Sequence, residues 1–339
     1  MSSLIGLDIG TYSIKLLGLV KKGDGYVVEK ISSAYNPIGA YISDDESQLK
    51  KLASVVKGML IESKSVGANL SLSIPDSMAF TSVVELPSLS DAELSSAVQW
   101  EAEQHLPVSL KEVNLEYSVV ERDSSDGSKM RVLLMAAKKT VVDRVIYFSE
   151  FLESEISFIE SSSLSLGRSH TLIHKEGSIL LCNVGALSTD LMMLKGGMPV
   201  FFHSISTGGL ALTRALERGL GLQGSQAEEY KRTYGLEKSH LEGKVFSALQ
   251  PVMDSVLVEM RKSIQYFQSE GSGETLEKIY LSGGGSYIPN VTSHMTESLG
   301  IEVLIHNPFE GMTVPEEVRL PKEVASFGVA AGLALRESE

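Results

Sequence analysis

Residues Leu4–Lys15 read Leu-Ile-Gly-Leu-Asp-Ile-Gly-Thr-Tyr-Ser-Ile-Lys, and their order decides the fold. An apolar strand runs into an Asp-x-Gly turn at Asp8–Gly10. Thr11, Tyr12 and Ser13 follow with their hydroxyls, and Lys15 stands seven positions after Asp8. Such a corner presents backbone N–H groups and hydroxyls to a phosphate chain. Asp8 is placed to hold the water shell of a hard cation such as Mg²⁺. Lys15 can reach back to a phosphate as a point charge.

The chain makes the same move again. Ile179–Val184 is an apolar strand ending in Asn183-Val184-Gly185, followed by Ser188 and Thr189, with Asn183 lying 175 residues after Asp8. Each copy continues with a second strand, a Gly turn (Gly23–Gly25; Gly196-Gly197) and a third strand. This echo predicts two similar lobes facing each other. After the first copy, Leu49, Leu52, Val55, Val56, Met59 and Leu60 are spaced for a helix over Glu46–Ser63. A strand at Asn69–Ile74 follows and ends at Pro75.

A separate module is expected over Thr81–Ser157. It holds a strand, a helix opened by the capping box Ser90–Glu93 and stopped before Pro107, a hairpin around the polar turn Asp123–Lys129, and a helix Val141–Ser154. Ser161-Ser162-Ser163 reads as a linker between lobes or a polar strand end. The second copy leads into helices Leu210–Leu220, Gln223–Tyr234 and Lys244–Ser269. Strand Lys278–Ser282, the turn Gly283–Gly285, a helix from Asn290, strand Glu302–Ile305 and a last helix Val324–Leu335 complete the chain.

Composition narrows the function. The 339 residues carry a formal charge of −13, which argues against nucleic acid and against direct adsorption to anionic lipid. A nucleotide remains compatible, since a metal ion and backbone dipoles handle phosphates. The single cysteine, Cys182, suits a reducing cytosol. No stretch approaches the roughly 18 apolar residues of a spanning helix, and the acidic end Arg336–Glu339 offers no amphipathic anchor. Direct membrane insertion is therefore not expected, and work at a membrane requires a protein partner.

Four segments fit one site. The two corners can grip a nucleotide from both sides. Gly283, Gly284, Gly285 and Ser286 after a buried strand allow close approach of a base or sugar. Glu228 and Lys231 stand three apart on one helix face and could clasp a ribose. Gly328–Gly332 lies in a small-residue helix able to pack against a hinge. In this order the set resembles the actin, Hsp70 and sugar-kinase superfamily: Asp8-x-Gly10 with Lys15 as first phosphate motif, Asn183-x-Gly185 as second, Leu281–Ser286 as adenosine motif.

Within it the chain is most similar to the PilM family of type IV pilus assembly. The similarity lies in Ile5–Gly10, Val84–Pro87, Trp100–Pro107, Ser206-Thr207-Gly208-Gly209-Leu210, Ala227–Lys231 and Gly283–Pro289. It implies an α/β, actin-like (ribonuclease H-like, duplicated) two-lobe fold with an inserted 1C subdomain. The first lobe would comprise 1–80 and 158–177, the insertion 81–157 and the second lobe 178–339, with 324–335 returning to the hinge. The resemblance further implies ATP with Mg²⁺ between the lobes. It also implies docking, near the cleft between the first lobe and the insertion, of the cytoplasmic N-terminal tail of a PilN-type inner-membrane protein. Self-association belongs to the same expectation.

One departure bears on chemistry. The second corner carries Asn183 where the family has Asp; asparagine can bond metal-bound water but is a poor general base. Nucleotide binding with slow or no hydrolysis is therefore expected. Two other readings stand beside the scaffold. One is a small-molecule kinase with Asp76 as base. The other is an FtsA-like filament-forming protein, which the missing tail opposes. Trp100 with Leu94, Val98 and Leu106 reads equally as a peptide groove or as packing within the module. His170 and His174, four apart, read as a helix face.

Overall fold

The structure, a computed structural model, describes residues 4–122, 128–270 and 275–336. Most of the expected turn after Arg122, the loop at 271–274 and the acidic end beyond Arg336 lie outside the described residues. The first lobe opens with β1 (Ile5–Ile9), β2 (Ser13–Lys22) and β3 (Gly25–Tyr35), then passes through α1 (Glu46–Glu62) to β4 (Leu70–Ile74). The chain leaves for a smaller unit of β5 (Ala79–Pro87), α2 (Asp91–His105), β6 (Val113–Arg122) and β7 (Lys129–Lys138). It returns by α3 (Lys139–Glu150) and β8 (Ile156–Ser161). Helix α4 (Ser162–Thr171) leads to β9 (Ser178–Val184), β10 (Thr189–Lys195), β11 (Met198–Ile205), α5 (Gly209–Leu220), α6 (Gly224–Tyr234) and α7 (Lys244–Glu270). The chain then forms β12 (Lys278–Ser282), α8 (Val291–Leu299), β13 (Glu302–Ile305) and α9 (Gly328–Ala334).

The two large sheets are copies in topology: β3-β2-β1-β4-β8 and β11-β10-β9-β12-β13. In each, the first strand pairs antiparallel with the second and parallel with the fourth. The registers also match, with Asp8 opposite Lys15 and Asn183 opposite Asp190. β1 and β4 are buried along their whole length, as continuous apolar central strands must be.

The inserted unit is a three-stranded sheet, β5-β7-β6, on which α2 lays Leu94, Val98 and Ala102 against Val84, Leu86, Met130, Val132 and Leu134. Leu94 and Val98 thus belong to this core and Leu106 packs on its edge, while Trp100 is 64% exposed; the four make no groove. The unit is also shorter than expected. Val145 and Phe148 of α3 join Ile5, Leu7 and Leu52 in the first-lobe core, so the insertion spans about β5 to β7. An amphipathic pattern announces a helix but not which sheet receives it.

The Ser161–Ser163 stretch closes a strand and starts a helix. Ser161 Oγ accepts the Leu164 N–H at 3.2 Å, an N-cap. Ser162, Ser163, Ser165 and Ser169 of α4 are buried, because this helix is pressed between a sheet and α9. Its Leu166 packs against Ile179, Leu181, Met192 and Leu194 of the second lobe. Conversely, Ala330 and Ala331 of α9 pack against Leu17 and Leu19 of the first.

Each lobe therefore receives the helix that the other lobe's sheet leads into, and the two helices cross at the hinge. A Cβ on Gly332 would lie 1.6 Å from the Ser165 carbonyl oxygen, so the crossing requires glycine. Arg168 ties the junction by donating to the Gly332 carbonyl at 2.8 Å and to both oxygens of Glu160, whose Oε2 also accepts from Arg336 at 2.7 Å.

Two further expectations are corrected. The last helix is not continuous over 324–335. Val324–Phe327 is a 3₁₀ turn, and the Ala325 carbonyl bonds Ser282 Oγ at 2.8 Å and the Gly283 N–H at 3.2 Å. The second lobe does not run to the end of the chain, because Phe309 packs with Val28 and Thr313 bridges Val27 of β3.

Candidate functional site

The lobes enclose a cleft of about 710 Å³, within the ~300–1,000 Å³ usual for small-molecule sites. Both corners line it. In the first, the Gly10 N–H donates to the Ser13 carbonyl at 3.1 Å; in the second, the Gly185 N–H donates to the Ser188 carbonyl at 2.9 Å. The same turn is thus built twice.

Asp8, Gly10, Thr11, Tyr12, Ser13 and Lys15 face Asn183, Gly185, Ser188 and Asp190 across the cleft. Asp8 Oδ2 lies 3.5 Å from Lys15 Nζ, and Oδ1 lies 3.4 Å from Ser73 Oγ. Both contacts sit beyond ordinary hydrogen-bond length, so the carboxylate keeps its acceptor capacity. Tyr12 packs edge-on against Tyr35 with centroids 5.5 Å apart, which braces the first corner.

Gly283, Gly284 and Gly285 form a third wall. Gly283 has φ +78°, and a Cβ there would meet the Val184 carbonyl oxygen at 2.5 Å and Asn183 Oδ1 at 2.6 Å. The turn is therefore seated directly on the second corner. Gly209, Glu228 and Lys231 supply the remaining wall. The Lys231 ammonium donates to the Gly209 carbonyl at 3.0 Å, Thr213 Oγ1 at 2.9 Å and Glu228 Oε2 at 2.6 Å. All three of its protons are engaged, and burial holds its pKa below the ordinary lysine value against the pull of Glu228. Lys231 fixes α6 to the start of α5, while Glu228 Oε1 takes part in none of these bonds.

Three residues expected at the site stand behind the wall. Ser188 and Asp190 face the cleft, so strand alternation turns Thr189 inward, where its hydroxyl donates to the Thr207 carbonyl at 2.8 Å. Gly208 lies against the back of the second corner; a Cβ would meet the Gly185 carbonyl oxygen at 2.7 Å. Buried Ser286 donates to the Gly283 carbonyl at 2.7 Å and holds that turn from within.

Asp190 was missed, though a signal existed: it stands seven residues after Asn183, as Lys15 does after Asp8. Its Oδ1 accepts from Ser204 at 2.5 Å and its Oδ2 from Ser188 at 3.0 Å, and burial raises its pKa. Asp76 lies behind the cleft residues Pro75 and Ser77. Its Oδ2 accepts the Ser163 N–H and hydroxyl at 3.1 and 2.8 Å. Its Oδ1 is buried with no hydrogen-bond partner among the described residues. Burial, then the Asp190 charge, push its pKa up to about 7.

The site offers oxygen donors, which suit a hard cation. No group of three or more His, Cys, Asp or Glu among the described residues could hold a metal by itself. A cation beside Asp8 would therefore take most of its shell from water and phosphate.

The profile of the family described as type IV pilus assembly protein PilM matches residues 6–338. Among solved structures, a PilM–PilN type IV pilus biogenesis complex aligns with a TM-score of 0.84 and 25% identity, over 98% of this chain and 98% of that one. The ethanolamine utilization protein EutJ of Carboxydothermus hydrogenoformans aligns at 0.58 and 14% identity, over 98% and 88%. MreB 5 of Spiroplasma citri, bound to AMPPNP, aligns at 0.54 and 12%, over 98% and 95%. These last two share the actin-like fold. No helix among the described residues is long and apolar enough to cross a membrane.

Proposed function

The chain belongs to the PilM family of type IV pilus assembly proteins, and on that premise we propose that it is a nucleotide-dependent scaffold of the pilus assembly platform. Its interlobe cleft holds ATP with Mg²⁺, and it grips the cytoplasmic N-terminal tail of a PilN-type inner-membrane protein. The scaffold is thereby held in the cytoplasm against that membrane. The observation that carries the nucleotide reading is the doubled corner: two identical turns, one per lobe, lining one cleft.

The backbone N–H groups and hydroxyls around Thr11–Ser13 and Ser188 cradle the phosphates, and Lys15 adds a charge. Asp8 and Asn183 bond water on the cation, which neutralises phosphate charge when bound. Glu228 accepts from a ribose hydroxyl, and the Gly283–Gly285 turn lies along the nucleoside. Turnover is slow or absent in this reading. Asn183 is a poor base, Asp190 is held by two serines, and Asp76 is turned toward α4.

The partner reading is supported by the PilM–PilN complex among the structures this chain resembles. It is further supported by apolar surface where the cleft opens toward the insertion, at Tyr35 and Met78, which are 73% and 42% exposed. Lobe closure would couple the two ligands. Isothermal titration of the tail peptide with and without MgATP tests this: different affinities are expected, and identical ones would end the coupling. Phosphate release at ordinary metabolic rates, about 1–10³ s⁻¹, would refute the scaffold reading.

A further inference from the structure

Trp100 is the only tryptophan in the chain, and its side chain is 64% exposed. It sits on α2 opposite the face that carries Leu94, Val98 and Ala102 into the inserted unit's core. Ser96, Glu103 and Gln104, one turn to either side, are exposed as well. The helix bears four carboxylates, Asp91, Glu93, Glu101 and Glu103, and no lysine or arginine. Asp91 and Glu93 suit the positive end of the helix, and Glu93 closes the capping box.

Glu101 and Glu103 stand in the other half, where the helix dipole disfavours negative charge. His105 bonds Glu101 at 3.0 Å, but Glu103 pairs with no cation among the described residues. Neither packing nor helix stability accounts for Trp100 and Glu103. An exposed indole beside unpaired carboxylate is recognition chemistry for guanidinium or ammonium groups. The cation lies over the ring and bonds the carboxylate, and such aromatic anchors dominate protein interfaces.

We propose that the outer face of α2, centred on Trp100 and Glu103, docks a basic, Arg- or Lys-bearing segment of a partner protein at a site separate from the cleft. The occupant is the membrane-proximal part of the same tail, since cytoplasmic flanks of membrane-spanning segments carry excess Lys and Arg. The identity of that occupant rests on the partner reading above. The face is built to read charge and supplies no pocket, so its contact weakens with salt.

The lone tryptophan is its own reporter. The full chain is titrated with the tail peptide including its basic flank, following heat and Trp100 emission, and then with the same peptide carrying Gln in place of every Lys and Arg. The expected result is an emission shift and protection from acrylamide with the basic peptide only. Trp100→Ala and Glu103→Gln each weaken the basic peptide, Trp100→Ala by about tenfold, with unchanged thermal midpoints. Heat without an emission change, and equal affinities for both peptides and both variants, overturn the α2 site and leave the partner reading standing. Silence in heat and emission alike overturns both.

Discussion

Replacing Gly332 by Ala adds one methyl group at the point where α9 crosses α4. The new Cβ would lie 1.6 Å from the Ser165 carbonyl oxygen and 2.3 Å from its carbon, whereas carbon and oxygen settle near ~3.3 Å or more. The helices must part by about 1.7 Å. A gap of ~0.5–1 Å already forfeits a quarter to a half of a dispersion contact, so Leu166, Val329 and Leu333 lose much of their mutual packing. Overpacking of this kind costs about 1–3 kcal/mol.

The Arg168 bond to the Gly332 carbonyl, 2.8 Å long, is stretched in the same movement, and a charged hydrogen bond contributes about 1.5–3 kcal/mol. The expected loss is therefore about 3–5 kcal/mol, read as a lowered midpoint in urea unfolding. Gly58→Ala is the control: it lies in α1, a Cβ there meets nothing within 4 Å, and a gain of about 0.5–1 kcal/mol is expected. A Gly332→Ala loss below about 1 kcal/mol would refute the crossing geometry.

Glu160 is 2% exposed and accepts from both Arg168 and Arg336. Breaking a buried ion pair costs about 3–5 kcal/mol, but both guanidiniums are about one-third exposed and can turn to water. Glu160→Gln should therefore cost about 2–3 kcal/mol in denaturant unfolding, and a neutral result would contradict the clamp.

Burial pushes His170 down to about 4 and His306 down to about 3. Both enter the fold neutral, so their contribution is present above pH 6.5 and is lost as pH falls from there toward their folded values. The slope is about 1.4 kcal/mol per pH unit for each ring. Asp76 acts with the opposite sign, its contribution being lost as pH rises from 3.8 through about 7. Comparing the wild-type chain with His306→Gln isolates the histidine term: the variant should lose stability less steeply between pH 6.5 and 4. Parallel curves would show that His306 is not buried.

The doubled strand-turn-strand pattern was legible because central strands are apolar throughout and their corners carry fixed residue types. Register made the site richer than the motif. Counting seven residues from Asn183 finds Asp190, but only the paired strands show that it occupies the position of Lys15 and faces Asn183. Thr189 and Ser286 were misplaced because a hydroxyl next to a turn can face either way, and alternation along β10 decides the first. Only the end of α4, at His170, was legible as a helix face, and its start was not, for a physical reason. A helix squeezed between a sheet and another helix is lined by Ser and Gly, which leave no apolar periodicity to read. Helix α3 was legible as a helix yet was assigned to the wrong core, since its apolar face says nothing about which sheet lies beneath it.

A crystal of the full chain soaked with Mg²⁺ and a non-hydrolysable ATP analogue would test the central claim most directly. Triphosphate density is expected between Gly10–Ser13 and Gly185–Ser188, with the nucleoside along Gly283–Gly285, and it should vanish in a folded Gly283→Val variant. Density at any other place, or an empty cleft at millimolar analogue, would contradict the account.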